Sequence, residues 1–163
     1  MEKPEADDIT INLEKDGCYI EPYDAILSKK FWSDAKNGHI TATGGIDGGA
    51  NRFTATVEFQ YKLDGDYLVF RSTRYIMSGP PGYPHKFRAN INIATKRGPY
   101  ISQVNSPDAM WQDGAWHNYE VSMRVINYWY DPYQVGIAVD FDGPDGGGWF
   151  WTWKQILQPG QIP

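Results

Sequence analysis

"RFTATVEFQYKLDGDYLVFRS", residues 52–72, alternates from its second residue. Phe53, Ala55, Val57, Phe59 and Tyr61 fall on one side, and Thr54, Thr56, Glu58 and Gln60 on the other. Successive side chains of a strand face opposite sides of a sheet, so this run reads as a half-buried strand. "LDGD" then supplies turn residues, and "DYLVFRS" is a second, shorter strand candidate.

The pattern recurs in both directions. "ITINL" (9–13) sets Ile9, Ile11 and Leu13 against Thr10 and Asn12, and "KFRANINIA" (86–94) sets Phe87, Ala89, Ile91 and Ile93 against Arg88, Asn90 and Asn92. "NYEVSMRV" (118–125) places Tyr119, Val121, Met123 and Val125 on one face, "QVGIAVDF" (134–141) does so with Val135, Ile137, Val139 and Phe141, and "HITAT" (39–43) is a shorter candidate. The breaks are turn chemistry: "GGIDGGAN", "SGPPGYP", "QDGA", "YDPY" and "DGPDGGG". Helical periodicity is confined to "YDAILSKKFW" (23–32) and "FWTWKQIL" (150–157), each good for a turn or two. Many short strands without strand-helix alternation predict an all-β fold, a single antiparallel β-sandwich spanning 1–163, with residues 1–8 flexible.

At 163 residues the chain can bury roughly 70% of its unfolded surface, so it needs no metal or disulfide staple. Cys18 stands alone, which excludes an intrachain disulfide and reads as a small buried hydrophobe. Acidic residues outnumber basic ones, 20 to 15, for a net charge of -5, so nucleic acid is not an expected partner. Arg71, Arg74, Lys86, Arg88, Lys96 and Arg97 cluster mid-chain at intervals that read as a solvated face. "MEKPEADDITINLEK" carries no apolar run, and no window is apolar enough to span a membrane. A cytoplasmic location, or secretion without a cleaved signal, is expected.

The chemistry-bearing stretches are aromatic. In "VINYWYDPYQVGI" (125–137) Tyr128, Trp129 and Tyr130 are consecutive, so at least one must face solvent. The flanking strands are expected to pair as a hairpin with these rings and Tyr133 at its mouth, and Asn127 and Asp131 beside them to hydrogen-bond a ligand. In "GGGWFWTWKQI" Trp149, Trp151 and Trp153 share one side of any strand, expected to be the core side. Asp140, Asp142 and Asp145 are weak candidates for Ca2+; they lack the full spacing and bidentate Glu of a calcium loop, so a plain turn is the favoured reading. His39, His85 and His117 belong to no zinc pattern. Glu58 and Glu120 can be nominated as an acid-base pair, but both fall on polar strand faces, where glutamates are solvated.

Three stretches carry a resemblance: "DITINLEKDGCYIEP" (8–22), "WSDAKNGHITATGGIDGGANRF" (32–53) and "VINYWYDPYQV" (125–135). Together they resemble the fungal fruit-body lectins, whose β-sandwich is related to that of the actinoporin cytolysins. The resemblance implies a pocket for galactose-type disaccharides near Ala35, Ile46, Asp47 and Asn127. The sequence departs from the family where Ile126 replaces its histidine, and the N-terminal segment lacks the apolar stripe of an actinoporin's inserting helix. "WQDGAWHNYEVSMRV" (111–125) and "VGIAVDFDG" (135–143) also look like parts of concanavalin-like sandwiches, where Trp116 would plug the sandwich edge.

These readings converge on a non-enzymatic, lectin-like protein that binds carbohydrate or glycolipid through the aromatic turn, as a homo-oligomer if single contacts are weak. The alternatives are a membrane-binding or cytolytic protein, a β-sandwich glycosidase or polysaccharide lyase, and a protein inhibitor.

Overall fold

The run Phe53 to Tyr61 forms the first three-quarters of a strand that continues to Asp64 and turns back through Gly65 and Asp66. The computed structural model describes residues 9–11, 25–44, 52–80, 86–142 and 149–163. In chain order these form β1 (Ile9–Ile11), α1 (Ala25–Trp32), β2 (Lys36–Gly44), β3 (Phe53–Asp64), β4 (Tyr67–Ser78) and β5 (Lys86–Arg97). There follow β6 (Tyr100–Asn105), β7 (Met110–Gln112), β8 (Trp116–Ile126), β9 (Tyr133–Asp140) and β10 (Trp149–Leu157). Each alternating run read as a strand falls largely in one over its described residues, although 12 and 13 of "ITINL" lie outside them. "FWTWKQIL" is strand rather than helical turn, because its ring on every second residue suits a pleated surface.

Two sheets result. The first has the order β1-β8-β4-β3-β2, with β1 parallel to β8 and the other pairs antiparallel; the second has the order β10-β9-β5-β6, with β7 also paired to β5. Their inward faces meet in one core. Phe53 packs on Phe141 at 5.2 Å between ring centroids, and Tyr61 on Tyr133 at 5.9 Å, each joining one sheet to the other. Two hydrogen bonds cross the same interface: Tyr119 Oη donates to the Ile91 carbonyl at 3.0 Å, and the Trp111 amide donates to Tyr75 Oη at 2.7 Å. Each satisfies a buried polar group that would otherwise oppose burial.

The β4-β8 ladder shifts register between Arg71 and Arg74. There the buried Ser72 hydroxyl donates to the Tyr119 carbonyl and accepts from the Val121 amide, so a side chain fills the gap the bulge leaves in the ladder. The helix α1 lies on the outer face of the first sheet. Its Trp32 is buried under the Arg71 guanidinium, and Lys62 holds its end by donating to the Phe31 carbonyl and to Asp34, both at 2.7 Å.

The expected hairpin between the strands 116–126 and 133–140 does not form. β8 lies in the first sheet and β9 in the second, so residues 127–132 are a crossing between layers. Both strands keep their apolar side toward the core, and facing sheets rather than neighbouring positions satisfy that requirement.

Candidate functional site

The outer face of the second sheet carries an aromatic stripe. Along β10, Phe150 and Ile156 pack toward the core, which turns Trp149, Trp151 and Trp153 the other way. They are 49%, 49% and 38% exposed, so the expectation that they are core is corrected. The ladder sets Trp149 opposite Asp140, Trp151 opposite Ala138 and Trp153 opposite Gly136 of β9. A Cβ on Gly136 would meet three atoms of the Trp153 ring at 2.6 to 2.8 Å. Because a Cβ stands out of the pleat, this places the indole face-down on the glycine. The Trp151 ring is parallel to it within 9°, with centroids 6.2 Å apart. The two indoles thus share one orientation, with their centroids set apart along the strand.

Polar side chains share this face on β5 and β6, two and three strands from β10. Asn90, Asn92, Ala94 and Lys96 of β5 lie on the outward side because Ile91 and Ile93 point into the core, and β6 pairs Asn105, Gln103 and Ile101 with the last three of these. The amides are held in the face: Gln103 Nε2 donates to Asn105 Oδ1 at 2.9 Å, and Asn90 Nδ2 to Asp108 Oδ1 at 3.2 Å. The Lys96 ammonium sits 4.7 Å from the Trp153 ring centroid. At the other end burial, followed by repulsion from Asp108 and Asp142, raises the Asp140 carboxyl above its usual range.

No protein-family model, curated protein or solved structure matches this chain.

The aromatic turn has a different character. Trp129 and Tyr130 are 47% and 81% exposed, meeting the requirement that some of the consecutive rings face water. Tyr128 is half-buried and packs at steep angles on Tyr130 (66°) and Tyr100 (59°), so these rings form no common plane. Tyr133 is fully buried and cannot take a ligand; it shares the parity of Val135, Ile137 and Val139, which fixes it inward. Asn127 is also buried, with its amide donating to the Asp66 carbonyl at 2.9 Å. Asp131 is half-buried beside Gly98, whose φ of +62° and contact with Tyr128 leave no room for a side chain.

Arg97 organises this turn, and the reading of it as part of a solvated face is corrected. It is fully buried; its Nε donates to the carbonyls of Tyr128 (2.9 Å) and Asp131 (3.1 Å), and its Nη2 to those of Gln161 (2.8 Å) and Gln158 (3.4 Å). Backbone carbonyls that have left the ladders thereby find a charged donor.

Of the pocket implied by the lectin resemblance, the described residues include Ala35 and Asn127. Ala35 precedes β2 and Asn127 follows β8, strands three steps apart in their sheet, about 14 Å. Ile46 and Asp47 lie outside the described residues, as do Asp145, Cys18 and His85. Among the described residues no group of three His, Cys, Asp or Glu is placed to hold a metal. Glu58 and Glu120 flank β4 rather than facing each other, and a hydrogen bond from Arg74 at 2.6 Å lowers the Glu58 carboxyl, so it holds no proton to donate near neutrality. Trp116 is exposed and covered on one face by the Arg74 guanidinium at 4.1 Å. A polar groove of about 560 Å³ lined by Asn37, His39, Glu58, Gln60, Arg71 and Thr73 opens on the first sheet, where Gln60 donates to Asn37 and accepts from Arg71, and Glu58 accepts from Arg74.

Proposed function

We propose that this protein is a non-catalytic carbohydrate-binding domain whose contact surface is the tryptophan stripe of β10. The supporting observation is the shared orientation of Trp151 and Trp153, parallel within 9°, with Trp153 seated on Gly136 of β9. A pyranose presents an apolar face of C–H groups and a rim of hydroxyls. The first stacks on an indole, and the second exchanges hydrogen bonds with an amide that both donates and accepts, here Asn92, which β5 sets opposite Ala138 of β9. The rings of the 127–132 crossing, set at steep mutual angles around Arg97, suit such stacking less well.

The test is affinity electrophoresis in gels cast with soluble β-glucan, xylan, galactan or mannan. At least one polysaccharide should retard the protein, and a Trp151→Ala, Trp153→Ala variant with an unchanged unfolding midpoint should run free. Folded wild type that no polysaccharide retards would overturn the reading. A lipid interface is the second reading, favoured by the exposure of Ile101, Trp129 and Tyr130 at the end of the sandwich. It predicts co-sedimentation with sugar-free vesicles that Trp129→Ala abolishes and the β10 variant retains.

A further inference from the structure

The stripe is a repeat, and its repeat constrains the ligand. Trp149, Trp151 and Trp153 occupy every second residue of one strand, so from first to last they span about 13 Å. One sugar ring covers one indole. Three indoles in a line match a ligand that also repeats along a line.

Orientation narrows the class. The Trp151 and Trp153 rings are parallel, so they accept successive sugars only if these present their faces in parallel planes. Equatorially linked pyranose chains, such as β-1,4 glucans, mannans and chitin-like chains, are flat ribbons that do so. Axially linked chains wind, and branched ones turn their faces apart. The floor under the rings is equally flat, because Gly136, Ala138 and Ala94 are the outward residues across the middle of β9 and β5.

Charge narrows it again. The chain carries a net charge of -5, and Asp140, directly opposite Trp149, has Asp108 and Asp142 close by. A polyanion laid along the stripe would meet these carboxylates. The Lys96 ammonium over the Trp153 ring is one cation; a sugar stacking there displaces it from the ring, after which its flexible stem lets it donate to a hydroxyl.

We infer that the stripe takes an unbranched, neutral, equatorially linked polysaccharide, extended parallel to β10 with its ring faces along Trp149, Trp151 and Trp153 and one hydroxyl edge toward Asn92. This rests on the carbohydrate reading above and specifies its ligand.

Titration calorimetry with cello-, manno- and chito-oligosaccharides, each from disaccharide to hexasaccharide, tests it, with maltohexaose and polygalacturonate as the axially linked and anionic probes. In at least one of the three series affinity should rise about tenfold or more from disaccharide to tetrasaccharide and then level off, each ring contact adding until the stripe is filled. Trp149→Ala should weaken the hexasaccharide by a clearly larger factor than the disaccharide, which keeps the Trp151 and Trp153 pair, a split that a general loss of folding cannot produce. Equal affinity for disaccharide and hexasaccharide, or tighter binding of maltohexaose or polygalacturonate, would overturn the inference while leaving the carbohydrate reading standing. So would failure of all three series when some polysaccharide still retards the protein in the gel. Folded protein that neither binds an oligosaccharide nor is retarded removes both.

Discussion

The indole of Trp153 lies face-down on Gly136 of the neighbouring strand, so close that a Cβ there would stand 2.6 Å from the ring. Gly136→Ala should therefore lift the ring without disturbing the backbone, because the ring is on the surface and free to move outward. Alanine also suits a strand interior slightly better than glycine, so the unfolding free energy should change by no more than about 1 kcal/mol. Saccharide affinity should fall by about tenfold, equivalent to ~1.4 kcal/mol. Equal affinity in mutant and wild type would show that the flat seating of Trp153 is irrelevant to binding.

Arg97→Met should be the most damaging of the substitutions considered. It leaves the carbonyls of Tyr128, Asp131 and Gln161 without their donor inside the protein, at a cost of about 3 kcal/mol in urea unfolding. Arg97→Lys keeps the charge but not the fork that serves two chain segments at once, so it should fall between methionine and wild type. A methionine variant as stable as wild type would mean that water replaces the guanidinium at no cost.

Much of the fold was legible because a strand with one buried face declares itself by parity, and β3, β5, β8 and β9 each do so over several residues. Parity also held the answer for Tyr133, in phase with Val135, although the turn chemistry of "YDPY" drew it into the loop. For β10 parity could say only that the three tryptophans share a side. Which side depends on the register that sets Gly136 and Ala138 beneath them, and no local pattern encodes that pairing. Arg97 was hidden for a similar reason: the carbonyls it serves come from loops more than thirty positions away in the chain.

Asp140 gives a pH dependence with a defined sign. Its carboxyl holds a proton more tightly in the folded protein than at the ordinary value of 3.8, so stability falls as pH rises through that value and on through the raised one. Asp140→Asn removes the adverse charge. The variant should melt above wild type at about pH 7 and coincide with it near pH 3, where both side chains are neutral. A lower melting temperature at neutral pH would indicate that the carboxylate has a favourable partner.

The alkaline limb is set by two phenols. Burial pushes Tyr119 and Tyr133 far above the ordinary value of 10.0, so unfolding above that value releases their protons and stability falls as pH rises. In an absorbance titration of phenolate, two tyrosines should ionise only with the loss of far-ultraviolet β signal. Gradual ionisation of every tyrosine in the folded state would contradict the burial of these two.

β10 follows every other strand of the sandwich in the chain and forms the outer edge of its sheet. During vectorial synthesis β9 consequently emerges from the ribosome with one bare row of amides and carbonyls, flanked by Val135, Ile137 and Val139, and waits for residues 149–157 to cover it. A nascent chain paused before Trp149 is the aggregation-prone species, open to pairing with any passing strand. The strand that carries the ligand platform is thus also the one that closes the sheet, and chaperone demand should peak just before it appears.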